Sequence, residues 1–80
     1  MKILTFWENT NDFEVVRCGE GDNDFYLIKK AIITVDRPIL ESDISSTMHF
    51  ENYVFRDFSL ISWWENDTEY HIKYSSVVKN

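Results

Sequence analysis

Eighty residues are enough for one domain with one hydrophobic core, so the chain is predicted to be a single domain, 1–80. Its composition is 44% hydrophobic and 28% charged with two glycines and one proline, which excludes a disordered chain. The net charge of −6 argues against direct binding to nucleic acid or an anionic membrane, and it favours a basic partner or no charged partner at all.

Cysteine usage and hydropathy predict a cytoplasmic protein. Cys18 has no second cysteine to pair with, as in reducing compartments, and a lone cysteine is expected to be a small buried hydrophobe. The start, MKILTFWEN, lacks the length and the cleavage site of a signal peptide. No stretch approaches the ~20 apolar residues that span a bilayer.

The first part of the chain alternates with a period of two residues. KILTFWE (2–8) and FEVVRC (13–18) flank NTND (9–12), whose residues tolerate turn conformations, so 2–18 is predicted to be a hairpin. Its first strand is predicted to place Leu4 and Phe6 on one face and Ile3 on the other. CGEGDND (18–24) follows as a predicted polar turn in which Gly19 or Gly21 has a positive φ.

FYLIKKAIITV (25–35) is the longest apolar stretch, and both of its faces are half apolar. It is predicted to be a central strand, because the β-branched run at 32–35 favours a strand over the alternative helix. Residues 36–38 break this strand. ILESDISS (39–46) is predicted to be a short helix or a structured loop after Pro38.

The second half alternates again in TMHFENYVF (47–55), FSLISWW (58–64) and EYHIKYSSVV (69–78). Tyr70, Ile72 and Tyr74 are predicted to share one face, and residues 58–76 are predicted to form a hairpin. The predicted fold is therefore mainly β. It is a small antiparallel sheet of five or six strands built from hairpins, with room for one short helix near 38–46.

No motif for catalysis or metal binding is present. CGEGDND lacks the Lys of a P-loop, and an EF-hand loop starting at Glu20 would have Phe25 and Ala31 where Gly and Glu belong. The cysteine and the two histidines, which are expected on solvent-facing positions, have no metal-ligand spacing. We predict a protein that is not an enzyme, with no catalytic residue, no metal and no cofactor. An enzyme that pairs Cys18 with a histidine is a third alternative.

Acidic residues gather in or beside the predicted turns. If residues 20–24 were extended, Glu20, Asp22 and Asp24 would project from one side at intervals of about 6.6 Å, a spacing comparable to that of successive phosphates. Such a row fits the basic groove of a nuclease or another nucleic-acid enzyme. A solvated polar turn is the simpler alternative for each cluster. The candidate acidic residues are Glu20, Asp22, Asp24, Glu65, Asp67 and Glu69.

Tryptophans are the candidate apolar anchors of a partner surface. Trp63 and Trp64 are adjacent on a predicted strand and would point to opposite faces, so only one can enter a given side of the sheet. Trp7 is placed in the same way on the first strand. An exposed Trp with acidic neighbours is typical of an interaction hot spot. The alternative is that these large side chains fill a small core.

In size, acidity, aromatic β-strands and the absence of a catalytic motif, the chain resembles the small inhibitors that phages direct against bacterial defence or host enzymes. It is similar to nuclease immunity proteins in the same general way. The resemblance implies a non-enzymatic inhibitor that occupies the basic, nucleic-acid-binding surface of a partner enzyme in the host cytoplasm. The alternative is a structural or assembly module that acts by homodimerisation or strand addition.

Overall fold

The computed structural model describes residues 1–21 and 23–80, and this part of the chain is mainly β. Its seven strands are β1 Ile3–Arg17, β2 Phe25–Val35, β3 Thr47–His49, β4 Tyr53–Arg56, β5 Ser59–Leu60, β6 Glu69–Tyr74 and β7 Ser76–Lys79. The predicted helix near 38–46 is a single 3₁₀ turn, Glu41–Asp43. No helix in the described ranges is long and apolar enough to cross a membrane.

The strands form two antiparallel sheets. Sheet A has the order β1-β2-β6-β5 and sheet B the order β3-β4-β7. The predicted antiparallel, mainly β fold is confirmed, with the strands divided between two sheets. The chain passes from sheet A to sheet B at Ser75, whose N–H donates to the carbonyl of Arg56 at 2.9 Å. Two sheets form because each buries its apolar face against the other.

The predicted hairpin over 2–18 is wrong. β1 runs without a turn through NTND, and its hairpin partner is β2. Asn9 pairs with Lys30 and Phe13 pairs with Lys29, so three residues of β1 form a bulge. Within it the Asn11 N–H donates to Asn9 Oδ1 at 3.2 Å. Residues that suit a turn also suit a bulge, because both require local side-chain hydrogen bonds to irregular backbone.

A second irregularity reverses the predicted faces at the start of β1. Ile3 pairs with Val35 and Thr5 pairs with Thr34, so Leu4 is an extra residue. Ile3 is 3% exposed and Leu4 is 59% exposed, whereas Phe6 packs against the core, so the prediction that Leu4 and Phe6 share a face is wrong. One inserted residue changes the face of every residue on one side of it, because the side-chain period of a strand is two.

The core lies between the two sheets and is centred on Phe55 of sheet B. Its ring lies 5.1 Å from the ring of Tyr74, 5.6 Å from that of Phe6 and 5.7 Å from that of Phe58. Each such side chain contributes about 1.5–3 kcal/mol by burial. The predicted inward face of β6 is confirmed: Tyr70, Ile72 and Tyr74 are all buried. The predicted 58–76 hairpin is also present, with Leu60 opposite Ile72.

The segment before the 3₁₀ turn is held to sheet A by a buried residue. Ile39 is buried, and its N–H donates to the Tyr70 hydroxyl at 2.9 Å. The Ile39 carbonyl accepts from Trp63 Nε1 at 3.0 Å. Within the turn, Asp43 Oδ2 accepts from the Leu40 N–H at 3.3 Å. The segment therefore closes one end of the core.

One part of the β1–β2 hairpin extends beyond the rest of the molecule. β6 pairs with β2 only from Lys29 to Thr34, whereas β1 pairs with β2 as far as Arg17 and Phe25. Residues 13–29 are called the arm. The molecule is accordingly elongated, 42 × 25 × 24 Å. The face of the arm that continues the buried face of β2 is the inner face, and the opposite one is the outer face.

Candidate interaction surface

The acidic loop 18–24 connects the two strands at the tip of the arm. The Cys18 N–H donates to the Asp24 carbonyl at 2.8 Å, and the Asp24 N–H donates to the Gly21 carbonyl at 3.1 Å. Gly19 has φ +90°, which confirms that a glycine here adopts a positive φ. A Cβ at Gly21 would lie 2.7 Å from Asp24 Oδ2, so the Asp24 side chain packs over the loop. The loop is a closed turn.

The closed loop changes the geometry of the candidate acidic row. Glu20 and Asp24 are both exposed, but they do not follow an extended strand. Asp22 lies outside the described residues. The tip therefore presents a compact acidic end in place of a linear series with the spacing of phosphates.

The second acidic group lies at the other end of sheet A. Glu69 pairs with Thr34 of β2, nine residues along that strand from Phe25 at the arm tip. At about 3.3 Å per residue this distance is roughly 30 Å. Glu65, Asp67 and Glu69 are exposed in and beside the β5–β6 loop, where Asn66 has φ 71°. The structure does not bring the two acidic groups into one surface.

The two adjacent tryptophans do not lie on a strand, because β5 ends at Leu60. Both lie in the β5–β6 loop. Trp63 lies against the segment before the 3₁₀ turn through its hydrogen bond to Ile39, whereas Trp64 is the more exposed of the two. The prediction that they occupy opposite faces of a strand is therefore wrong. Trp63 has a structural contact, and Trp64 is free to contact a partner.

Trp7 is exposed on the outer face of sheet A, next to a shallow cavity of about 210 Å³. Trp7 pairs with Ile32, and Ile32 pairs with His71. The Ile61 N–H donates to the His71 carbonyl at 2.9 Å, which places Ile61 at the far side of the same row. Trp7 and Ile61 therefore flank a depression with an apolar floor.

The inner face of the arm is an exposed apolar surface that sequence reasoning missed. Phe13 pairs with Lys29, Val15 with Leu27 and Arg17 with Phe25, so these six side chains share this face. The four apolar ones, Phe13, Val15, Phe25 and Leu27, are 36–55% exposed. The signal available in the sequence was the half-apolar character of both faces of 25–35.

A second cavity, of about 360 Å³, lies where the inner face of the arm meets the body of the protein. It is formed at the bulge, where β1 departs from regular pairing. Lys29 Nζ and Glu8 Oε1, 4.0 Å apart, lie at its edge. Its lining residues are Glu8, Asn9, Thr10, Phe13, Leu27 and Lys29.

Ion pairs hold the outer face of the arm to sheet A. Lys73 Nζ donates to Glu14 Oε1 at 2.9 Å, and Lys30 Nζ lies 3.8 Å from the same oxygen and 3.1 Å from Asp12 Oδ1. The hydrogen bond from Lys73 and its charge hold the pKa of Glu14 below its ordinary value. The base of the arm is therefore fixed by charge on one face and uncovered on the other.

The expected solvent-facing positions of His49 and His71 are confirmed, since both are exposed. Cys18 is exposed as well, so the expectation of a buried cysteine is wrong; it lies at the arm tip. No group of three His, Cys, Asp or Glu side chains in the described part of the chain is arranged to hold a metal ion. Comparison of the chain with protein-family models, curated proteins and solved structures finds no match.

Proposed function

We propose that the chain is a non-enzymatic binding protein that inhibits a partner enzyme by occupying its basic, nucleic-acid-binding surface. The observation that supports this proposal is the acidic loop 18–24 at the tip of a two-stranded arm. The loop sequence contains three acidic residues and no basic one. Its exposed carboxylates extend beyond the rest of the fold on a narrow support, so they can enter a cleft that a flat acidic surface could not reach.

The dimensions of the arm support entry into a nucleic-acid cleft. Two paired strands lie about 4.8 Å apart, so the arm is roughly 10 Å wide with its side chains. A nucleic-acid duplex has a major groove ~12 Å wide, so an enzyme cleft that holds the whole duplex is wider than the arm. Complementary charge would then speed association with the partner. Rising salt would slow association and weaken binding, because it screens exposed charges.

The partner in this proposal is a nuclease or another nucleic-acid enzyme in the cytoplasm. The resemblance to phage anti-defence inhibitors makes the host cytoplasm the place to look. No direct contact with nucleic acid or with a membrane is part of the proposal, because the chain carries a net charge of −6. Trp7 on the outer face of sheet A and Trp64 beside Glu65 are both exposed, and they are candidate apolar contacts away from the arm tip.

The test begins with capture of partners from the host lysate on the tagged protein, with elution by rising salt. Association of the purified partner is then measured by surface plasmon resonance with the Glu20→Lys/Asp24→Lys variant and its matched control, Glu65→Lys/Asp67→Lys. Both variants change the net charge equally, at opposite ends of sheet A. We expect slower association and weaker enzyme inhibition from the tip variant alone. Equal behaviour of the two variants would overturn the proposal that the tip is the recognition site.

The second candidate function is an assembly module that acts by homodimerisation or strand addition. The uncovered inner face of the arm supports it, and so does the position of β1 at the edge of sheet A. This function predicts self-association that increases with protein concentration and depends little on salt, measured by sedimentation velocity. A monomer at every concentration would remove this candidate and would leave the inhibitor proposal intact.

A further inference from the structure

The inner face of the arm continues the buried face of β2. Closer to the body, sheet B covers this face, with Tyr53 stacked on Phe6 at 5.4 Å and Phe55 packed on Tyr74 at 5.1 Å. Beyond Lys29, where β6 ends its pairing, nothing in the described residues takes the place of sheet B. The arm is therefore one layer of a two-layer structure whose second layer is absent from the single chain.

We propose that this second layer is the arm of a second copy of the chain, which lies antiparallel on the inner face with its tip toward the base of the first arm. The arrangement is a two-fold dimer with its axis across the Val15–Leu27 pair. It rests on the assembly function proposed above and specifies its surface and geometry. It does not depend on the inhibitor proposal.

The residue order along the inner face is self-complementary in this arrangement. At the tip of the arm, the cation Arg17 pairs with the aromatic residue Phe25. At the base of the arm, the aromatic residue Phe13 pairs with the cation Lys29. The two-fold operation places Arg17 over Phe13 of the second copy and Lys29 over its Phe25. Each cation then lies against an aromatic face, a contact worth about 0.5–2 kcal/mol.

The position of sheet B excludes the parallel arrangement. Sheet B projects from the inner face near the body, so two arms lying tip to tip would bring both copies of sheet B into the same space. They would also place the two acidic loops side by side, which like charges oppose. In the antiparallel arrangement each sheet B lies beyond the tip of the other arm. The second arm then continues the layer that sheet B begins.

The cavity at the base of the arm accommodates the tip residue of the second copy. Phe25 of one copy lies opposite Lys29 of the other, and Lys29 lines the cavity of about 360 Å³. A cavity of ~150 Å³ is enough to hold a benzene molecule. A phenyl ring therefore has room, with Phe13 and Leu27 as its apolar contacts. Arg17, adjacent to Phe25 across the hairpin, also comes near Glu8 at the edge of the same cavity.

The expected affinity follows from the size of the arm. Five residue pairs make a face roughly 17 Å long and 10 Å wide, smaller than a standard interface of ~800 Å² per partner. The dimer is therefore expected to be weak and concentration-dependent. If a different protein covers the inner face of the arm, the isolated chain will be a monomer at all concentrations.

Sedimentation equilibrium of the full chain over micromolar to millimolar concentrations tests the inference. The test variant is Phe25→Asp, and the matched control is Tyr26→Asp, which places the same charge at the next position on the outer face. We expect Phe25→Asp to raise the dimer Kd at least about tenfold, because it removes an aromatic anchor that fills the cavity of the second copy and puts a charge there. Tyr26→Asp should leave it close to that of the wild type. Circular dichroism of both variants is the control that they fold as the wild type does.

Disulfide trapping tests the two-fold axis directly. In a Cys18→Ser background, Val15→Cys lies on the axis and should form a covalent dimer under mild oxidation, whereas Val16→Cys on the outer face should not. A dimer that persists in Phe25→Asp, with no cross-link through Val15→Cys, would overturn this inference and leave the assembly function standing. A wild-type monomer throughout would overturn both.

Discussion

Tyr70 and Tyr74 are four residues apart on the same face of β6 and equally buried, yet their hydroxyl groups have opposite environments. The Tyr70 hydroxyl accepts from the Ile39 N–H and donates to the Asp67 carbonyl. The Tyr74 hydroxyl is buried with no hydrogen-bond partner among the described residues. A buried hydroxyl contributes to stability only when it is paired, so the two tyrosines have different roles in the same core.

The same substitution at these two positions should therefore have opposite effects. We expect Tyr70→Phe to lower the free energy of unfolding by about 1–3 kcal/mol, because it leaves the Ile39 N–H unpaired. Tyr74→Phe should be neutral or raise it by up to about 1 kcal/mol, because it removes an unpaired group. Urea unfolding at neutral pH measures both. A destabilisation of Tyr74→Phe equal to that of Tyr70→Phe would contradict the interpretation.

Burial of Tyr74 also predicts an alkaline limit to stability. Desolvation raises the pKa of Tyr74 well above its ordinary value of 10.0. Glu8 lies close enough to the Tyr74 hydroxyl for its negative charge to raise this pKa further, although the geometry of the two groups is not that of a hydrogen bond. The neutral phenol is therefore favoured in the folded state. Its contribution is fully present below the unfolded pKa and is lost as pH rises towards the folded one.

We expect unfolding curves at pH ~11 to show a smaller loss of stability for Tyr74→Phe than for the wild type. The comparison with the same pair at neutral pH isolates the effect of this group from that of other residues that titrate. An equal loss in both proteins would show that Tyr74 is not the group responsible.

Sequence reasoning at the scale of single residues succeeded where alternation is regular. Tyr70, Ile72 and Tyr74 follow a strand without interruption, and their common buried face was predictable. The faces of Ile3 and Leu4 were not, because one extra residue reverses them and no local signal marks it. The exposure of Cys18 depends on the length of the arm, which is a property of strand pairing.

At the scale of elements, the arm depends on a small number of charges near its base. Glu14 accepts a hydrogen bond from Lys73 of β6 and lies near Lys30. The contact with Lys73 connects the arm to β6, whose backbone pairing with β2 ends at Lys29. The lowered pKa of Glu14 means that this contribution is present above the ordinary carboxyl value of 4.5. It is lost as pH falls through the lower, folded value.

We expect Glu14→Gln to increase amide hydrogen exchange in the arm, residues 13–29, while exchange in β6 and β4 stays unchanged. Lowering the pH of the wild type through the Glu14 pKa should have the same local effect once exchange rates are corrected for pH. Glu20→Gln at the tip is the matched control, since it removes a charge without an ion pair in the described residues. If both variants exchange alike, the ion pairs do not fix the arm.

Elements were predictable in kind, but their connections were not. The sequence NTND predicts a turn between two strands, but it forms a bulge within one strand. Asn, Thr and Asp side chains can hydrogen-bond to the irregular backbone of a turn or of a bulge, so they do not distinguish the two. WW reads as part of a strand and lies in a loop. Its first tryptophan instead bonds to Ile39, twenty-four residues earlier, a long-range contact that local patterns do not contain.

At the scale of the whole molecule, the core and the arm are separable. Among the residues that the structure describes, the twelve buried ones lie outside residues 4–30, and Phe6, which packs against them, lies outside the arm. The division into two sheets was not predictable from alternation, because the passage at Ser75 interrupts a pattern that continues into β7. The candidate acidic clusters could be found in sequence, but their separation of roughly 30 Å follows from the antiparallel order of β2 and β6.

This separation predicts that the arm can be removed. Replacing residues 10–29 by Asn-Gly would join Asn9 to Lys30, which are paired, through a favoured two-residue turn. We expect the shortened chain to fold cooperatively, to be monomeric at every concentration, and to lose the binding that either proposed function assigns to the arm. Thermal unfolding with near-ultraviolet circular dichroism checks the fold. Loss of the cooperative transition would show that the arm contributes to the stability of the core.

The bulge in β1 has a further consequence for solubility. A fifteen-residue strand at the edge of a sheet offers a long series of free backbone groups to any other edge, and this is a template for fibrils. The three extra residues interrupt that series midway and twist the edge out of line. Deletion of residues 10–12 should therefore give a straight strand edge and faster growth of thioflavin-positive aggregates. The irregularity that shapes the arm also protects the protein from polymerising along it.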